Sequence, residues 1–168
     1  MIETHYSLKY IYNFECTFHV HSMKFKWSCI LISVLISANL FAQDWHLDFS
    51  EASALAKKQN RPIILVFQGS DWCAPCIKLD REIWSSDEFK AYARDHFVMV
   101  KADFPKKSKN ALSKEQEEHN QQLAEKYNTK GYFPYVVVLD GKGEVMGSTG
   151  YKKVSPSEYI KILESFTE

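Results

Sequence analysis

The run Ile63-Ile64-Leu65-Val66-Phe67 is apolar at every position and largely β-branched, with Asn60-Arg61-Pro62 before it and Gly69-Ser70-Asp71 after it. Successive side chains of a strand point to opposite faces, so a strand that is apolar throughout must be covered on both. The run therefore predicts a central strand in a sheet held between two layers.

Local signals supply the layers. Asp48-Phe49-Ser50-Glu51 has an N-cap residue answered by a glutamate, and the alanine-rich stretch behind it predicts a helix to Lys58. From Ala74 onward, Ile77, Leu79, Ile83 and Trp84 are expected in a helix, and Ser86-Asp87-Glu88 caps a short one to Arg94. Phe97 to Ala102 reads as the next strand, and Asp103 to Lys109 as a polar loop in which Lys106-Lys107-Ser108-Lys109 is a solvated turn. Ser113-Lys114-Glu115-Gln116 reads as a capping box opening a helix to Tyr127. Tyr135 to Leu139 is a valine-rich strand, Asp140-Gly141-Lys142-Gly143 a hairpin turn, and Glu144 to Ser148 the antiparallel partner at the sheet edge. Ser155-Pro156-Ser157-Glu158 opens a last helix whose Tyr159, Ile160, Leu163 and Phe166 share one buried face. This order predicts an α/β fold, a central mixed sheet with parallel core strands and an antiparallel edge hairpin, flanked by helices.

Ahead of that domain, Met23-Lys24-Phe25-Lys26 leads into an apolar run from Trp27 to Phe41. The two lysines, a run shorter than the roughly 20 residues of a membrane span, and the small Ala42 before Gln43 make residues 23–42 a signal peptide. The product is expected to be periplasmic or secreted, or, if the segment is not cut, anchored in a membrane by its N-terminus. Residues 1–22 carry neither an export pattern nor an amphipathic period and read as a mis-assigned extension, with translation starting at Met23. The folded domain is then 43–168. With 21 basic and 21 acidic residues the formal charge is zero, so no net positive field argues for a nucleic-acid partner.

Loss of the leader removes Cys16 and Cys29 and leaves Cys73 and Cys76 as the only thiols. A bridge across two intervening residues closes a very small loop and restricts little unfolded-state entropy, so a structural staple explains the pair poorly. At a strand-to-helix turn, a thiol faces unpaired N–H groups and the positive end of the helix dipole, both of which favour thiolate. Cys73 occupies that place and is expected to be the exposed nucleophile, while Cys76, one turn in and more buried, attacks the mixed disulfide. Pro75 stiffens the first turn without removing a needed donor. A tetrahedral metal site needs about four ligands. His46, His96 and His119 are scattered singly and read as solvated surface residues, so no metal is expected.

Trp72-Cys73-Ala74-Pro75-Cys76 after a buried strand, with Gly131-Tyr132-Phe133-Pro134 before a valine-rich one, resembles the thioredoxin superfamily, and more narrowly its secreted bacterial members with a WCxPC-type motif. The resemblance spans residues 45–168. It implies a thioredoxin-like fold, a catalytic pair Cys73 and Cys76, no cofactor, and a substrate surface of Trp72, Pro75, Phe133 and Pro134. Pro134 is then the cis-proline facing the sulfurs, beside which a substrate peptide pairs like an added strand. One departure is informative. Phe67 stands where cytosolic thioredoxins carry a buried aspartate that shuttles the proton of the resolving thiol, which leaves water or Asp80 for that task.

The expected function is exchange of dithiol for disulfide with protein substrates, as a monomeric reductase recharged by a membrane or periplasmic redox donor. An oxidase lacks the large helical insertion expected of it, and an isomerase lacks a dimerisation segment. The rival class is a non-catalytic thioredoxin-like binding module, or a chaperone carrying a soft metal ion on the two thiolates.

Overall fold

The structure, a computed structural model, describes residues 44–167; the expected signal peptide and the extension before it lie outside them. The chain runs β1 (Trp45–His46), α1 (Phe49–Gln59), β2 (Ile63–Gln68), α2 (Ala74–Leu79), a π-turn (Asp80–Trp84), α3 (Asp87–His96), β3 (Val98–Asp103), a 3₁₀ turn (Ser108–Asn110), α4 (Lys114–Tyr127), β4 (Tyr135–Leu139), β5 (Val145–Thr149) and α5 (Pro156–Glu164). The sheet order is β1-β3-β2-β4-β5. β3 runs parallel to both β1 and β2, whereas β4 is antiparallel to β2 and to β5. The mixed sheet is therefore the expected one, and its antiparallel half begins at the central strand.

All six residues of β2 are buried, and their alternation divides the core. Ile64 and Val66 join Met99, Val136 and Val138 on one face, beneath Trp84, Phe89, Tyr159 and Leu163 from the π-turn, α3 and α5. Ile63, Leu65 and Phe67 join Val100 and Leu139 on the other, beneath Ala52 and Ala56 of α1 and Leu123 and Tyr127 of α4. Each residue of the apolar run thus lands in one of two clusters, which is why no polar residue could replace any of them cheaply.

Caps form where the sequence signals them. The side chains of Asp48, Ser86, Ser113 and Ser155 accept the N–H of Glu51, Phe89, Gln116 and Glu158 respectively. α1 ends on Asn60 in the left-handed conformation, φ 53°. The box is reciprocal at Ser155 and Glu158 but not at Ser113, because Gln116 donates instead to the Leu47 carbonyl at 3.1 Å and to Asn120 Oδ1 at 2.9 Å. The hairpin turns on Gly143, φ 85°, with Asp140 Oδ1 accepting the N–H groups of Lys142 and Glu144.

Two features depart from expectation. β1 was not foreseen, since two residues carry no periodicity and only pairing of Trp45 with Met99 and His46 with Val100 makes them a strand. The helix expected to run from Ala74 through Trp84 loosens at Asp80, where the Ser85 N–H reaches the Asp80 carbonyl at 2.8 Å. That wider turn admits one more residue and lets Ile83 and its neighbour Trp84 both enter the core, where Trp84 packs edge-on to Phe89 at 4.6 Å and Tyr159 at 5.3 Å. Ile77, by contrast, is 45% exposed beside Cys76.

Candidate active site

β2 ends at Gln68, and the chain turns through Gly69 to Asp71 into α2, whose N-cap is Cys73. The Cys73 sulfur accepts the Cys76 N–H at 3.3 Å, and Pro75 occupies the first turn, where an N–H would have no helical acceptor. Cys73 and Cys76 form a disulfide, with Cα atoms 5.2 Å apart. The expected contrast between an exposed Cys73 and a buried Cys76 is absent in this form, at 4% and 3% exposure. The bond holds the two sulfurs together, and Cys73 Sγ turns to the Cys76 N–H of the helix.

The second motif arrives through a stapled turn. Asn128, only 5% exposed, gives and takes a hydrogen bond with the Tyr132 backbone, at 2.9 Å to its carbonyl and 3.0 Å from its N–H. Gly131 bends back at φ 65°, and Phe133-Pro134 follows as a cis peptide bond. Pro134 therefore opens β4 in the conformation expected of it. Pairing of Phe67 with Tyr135 sets the end of β2 against the start of β4. The two motifs meet through their aromatic rings, with Trp72 and Phe133 5.5 Å apart. Trp72, Cys73, Pro75, Cys76, Phe133 and Pro134 are thus gathered at one end of two adjacent strands.

A third segment borders them. The Asp71 carboxylate accepts the N–H groups of Lys106 and Lys107, each at 2.9 Å, and the Asn110 side-chain amide at 2.8 Å. The Lys106 N–H, foremost among these, holds that carboxyl below the usual range. Asp103 accepts from the Ser70 N–H at 2.9 Å and its hydroxyl at 2.6 Å. The Trp72 indole donates to the Phe104 carbonyl at 2.7 Å, and Lys106 Nζ stands 4.0 Å from the centre of the indole ring. The reading of residues 106–109 as a merely solvated turn is therefore corrected: long-range bonds fasten it over the dithiol turn. Gly69 makes room for this, since a Cβ there would stand 2.3 Å from Trp72 Cε2. Neither Gly69, Asn128 nor Phe104 carried a local signal in the sequence, apart from Gly69 ending a strand.

Phe67 lies fully buried in the core and stacks on Tyr135 at 6.4 Å, so no carboxylate occupies that strand position. Asp80 is exposed at the start of the π-turn. His119 is not a solvated surface residue as expected. It is half-buried, and its Nε2 accepts the Phe49 N–H at 3.2 Å at the start of α1.

Residues 44–141 match the thioredoxin-like family model. The chain is 37% identical over 131 residues to the disulfide bond reductase DsbH of Chlamydia pneumoniae, covering 78% of this chain and 75% of that protein. A solved structure of a DsbH oxidoreductase superposes with a TM-score of 0.69 at 34% identity, over 77% of this chain and 89% of the other. A disulphide isomerase from Xylella fastidiosa Temecula1 superposes with a TM-score of 0.53 at 25% identity, over 71% and 88%. A disulfide-forming cysteine pair capping a helix beside a cis-proline, on a fold and sequence this similar, leaves one conclusion: the chain belongs to the thioredoxin-like family and is a protein-disulfide oxidoreductase.

Proposed function

We propose that the chain works outside the cytoplasm as a reductase of protein disulfides, with Cys73 as nucleophile and Cys76 as resolving thiol. The observation that carries this reading is the cap of α2: the Cys73 sulfur already takes a helix N–H, a placement that favours negative charge on that atom. In the reduced protein the Cys73 thiolate attacks one sulfur of a substrate disulfide, forming a mixed disulfide and expelling the other sulfur as thiolate, which takes up a proton. Cys76 then loses its proton and attacks Cys73 Sγ, which releases the second substrate thiol and closes the Cys73–Cys76 bond. Two electrons have passed to the substrate. With Phe67 in the strand, the proton of Cys76 passes to water or to Asp80, which is exposed one turn beyond it.

Trp72, Pro75, Phe133 and Pro134 form the surface on which the substrate lies, its backbone running beside Pro134 as an added strand. Direction toward reduction is supported by the likeness to a relative named as a disulfide bond reductase. A redox donor of the periplasm or membrane must then restore the dithiol. Export is supported by the lysines and apolar run of residues 23–42, which leave 43–168 as the mature domain.

Cys73→Ser is expected to abolish reduction of insulin, and unchanged turnover would refute the reading. Cys76→Ser should accumulate a mixed disulfide visible on a non-reducing gel. A redox titration separates directions: a potential near about −270 mV fits a reductant, and one near about −120 mV an oxidant. Peptides from the first twenty residues in the natural protein's mass spectrum would overturn the start at Met23.

A further inference from the structure

The lysine-bearing loop beside the dithiol is more firmly held than a solvated turn requires. Three side chains of the 69–72 region grip it: Ser70 through Asp103, Asp71 through the amides of residues 106, 107 and 110, and Trp72 through the Phe104 carbonyl. Asp71 and Asp103 turn their oxygens to these internal bonds but keep their formal charge, so the three lysines of the loop face two carboxylates of the clasp, a formal excess of one positive charge. Lys106, Lys107 and Lys109 are exposed, and among the described residues none of their ammonium groups has a carboxylate within ion-pair distance. Lys106 covers one side of the Trp72 ring, and Phe133, which precedes Pro134, touches the same indole. The positive charge therefore stands one side chain away from the residues that flank the dithiol. Because the chain as a whole is neutral, this is a local field rather than a global one.

We propose that the segment Phe104–Asn110 is a cationic lip that selects substrate proteins whose disulfide is flanked by aspartate or glutamate. This rests on the reading of the chain as a protein-disulfide reductase. The lip acts on encounter and orientation: carboxylates beside a substrate disulfide settle against Lys106, Lys107 and Lys109 while the sulfur reaches Cys73. Charges held about a Debye length apart attract weakly in water, and rigid placement lets several act together. Trp72 supplies the floor, its indole fixed by the same loop that carries the charge.

The test uses three cyclic disulfide peptides identical except for two flanking residues, glutamate, glutamine or lysine, mixed with the reduced protein. At low ionic strength the glutamate peptide is expected to be reduced about three- to tenfold faster than the lysine peptide. That ratio should approach one in half-molar salt, and at low salt in the K106Q/K107Q/K109Q variant. Equal rates for the three peptides at low salt, or an undiminished ratio in the variant, overturn the lip while leaving the reductase intact. Failure to reduce any of the three overturns both.

Discussion

Gly69→Ala is a small change whose consequence can be worked through. The φ of Gly69 lies outside the left-handed region, so alanine fits the backbone. The new Cβ would stand 2.3 Å from Trp72 Cε2, 2.5 Å from Nε1 and 2.6 Å from Cζ2. An indole is rigid and must swing away as a unit. It then gives up its 2.7 Å hydrogen bond to Phe104, its place under Lys106 and its contact with Phe133. A net hydrogen bond contributes about 1 kcal/mol, an exposed cation–π contact about 0.5–1 and an aromatic pair about 0.5–1.5. Against a loss of roughly 2–3.5 kcal/mol, alanine returns about 0.4–1 by restricting the unfolded chain. Urea unfolding of the oxidised protein, followed by far-UV circular dichroism, should thus show a net destabilisation of about 1–3 kcal/mol. The decisive arm is the same substitution in a Trp72→Ala background, where it should be neutral or slightly stabilising, giving a coupling of roughly 2–3.5 kcal/mol. If Gly69→Ala costs as much without the indole as with it, the packing argument is wrong.

Other perturbations follow from the same contacts. Asp71 has its pKa depressed by the Lys106 N–H, so its hold on the loop is complete above about pH 4 and fades as pH falls through the lower folded value. Protection of the Lys106 and Lys107 amides, taken as the exchange rate relative to the intrinsic rate at each pH, should fall across that window in the native protein and already be low at neutral pH in Asp71→Ala; protection that ignores both changes would count against the clasp. Asn128→Asp keeps an acceptor for Tyr132 but loses the donor to its carbonyl, and should cost about 1–3 kcal/mol in thermal or urea unfolding. Ser155→Ala removes one half of the capping box of α5 and should cost about 1 kcal/mol, measured the same way. Gly147→Ala sets a Cβ 2.2 Å from Phe166 Cδ1, and its penalty should vanish when Phe166 is also alanine.

What the sequence disclosed was what local chemistry determines. The apolar run of β2, the four side-chain caps and the hairpin turn each depend on neighbours within a few residues, and all appear where the residues signal them. The two cysteines were legible for the same reason, since their spacing alone puts them on one helical turn. Hidden were features decided at a distance: β1, which exists only through β3; the π-turn, which answers the demand of the core for Ile83 and Trp84; and the Asp71 clasp, whose partners lie 35 to 39 residues along the chain. His119 was misread likewise, its partner being 70 residues away.

The ladder between β2 and β4 has a consequence for how the molecule can come apart. The dithiol turn hangs from the last residue of β2, and Pro134 precedes the first residue of β4, with Phe67 opposite Tyr135. Both strands are interior to the sheet, so the two halves of the site cannot part unless the most buried rungs break as well. Fraying of β1 or β5 at the margins leaves that seam untouched. The Cys73–Cys76 turn and Pro134 are therefore expected to stay joined through partial unfolding that releases the edges, with the amides of β2 and β4 the slowest to exchange.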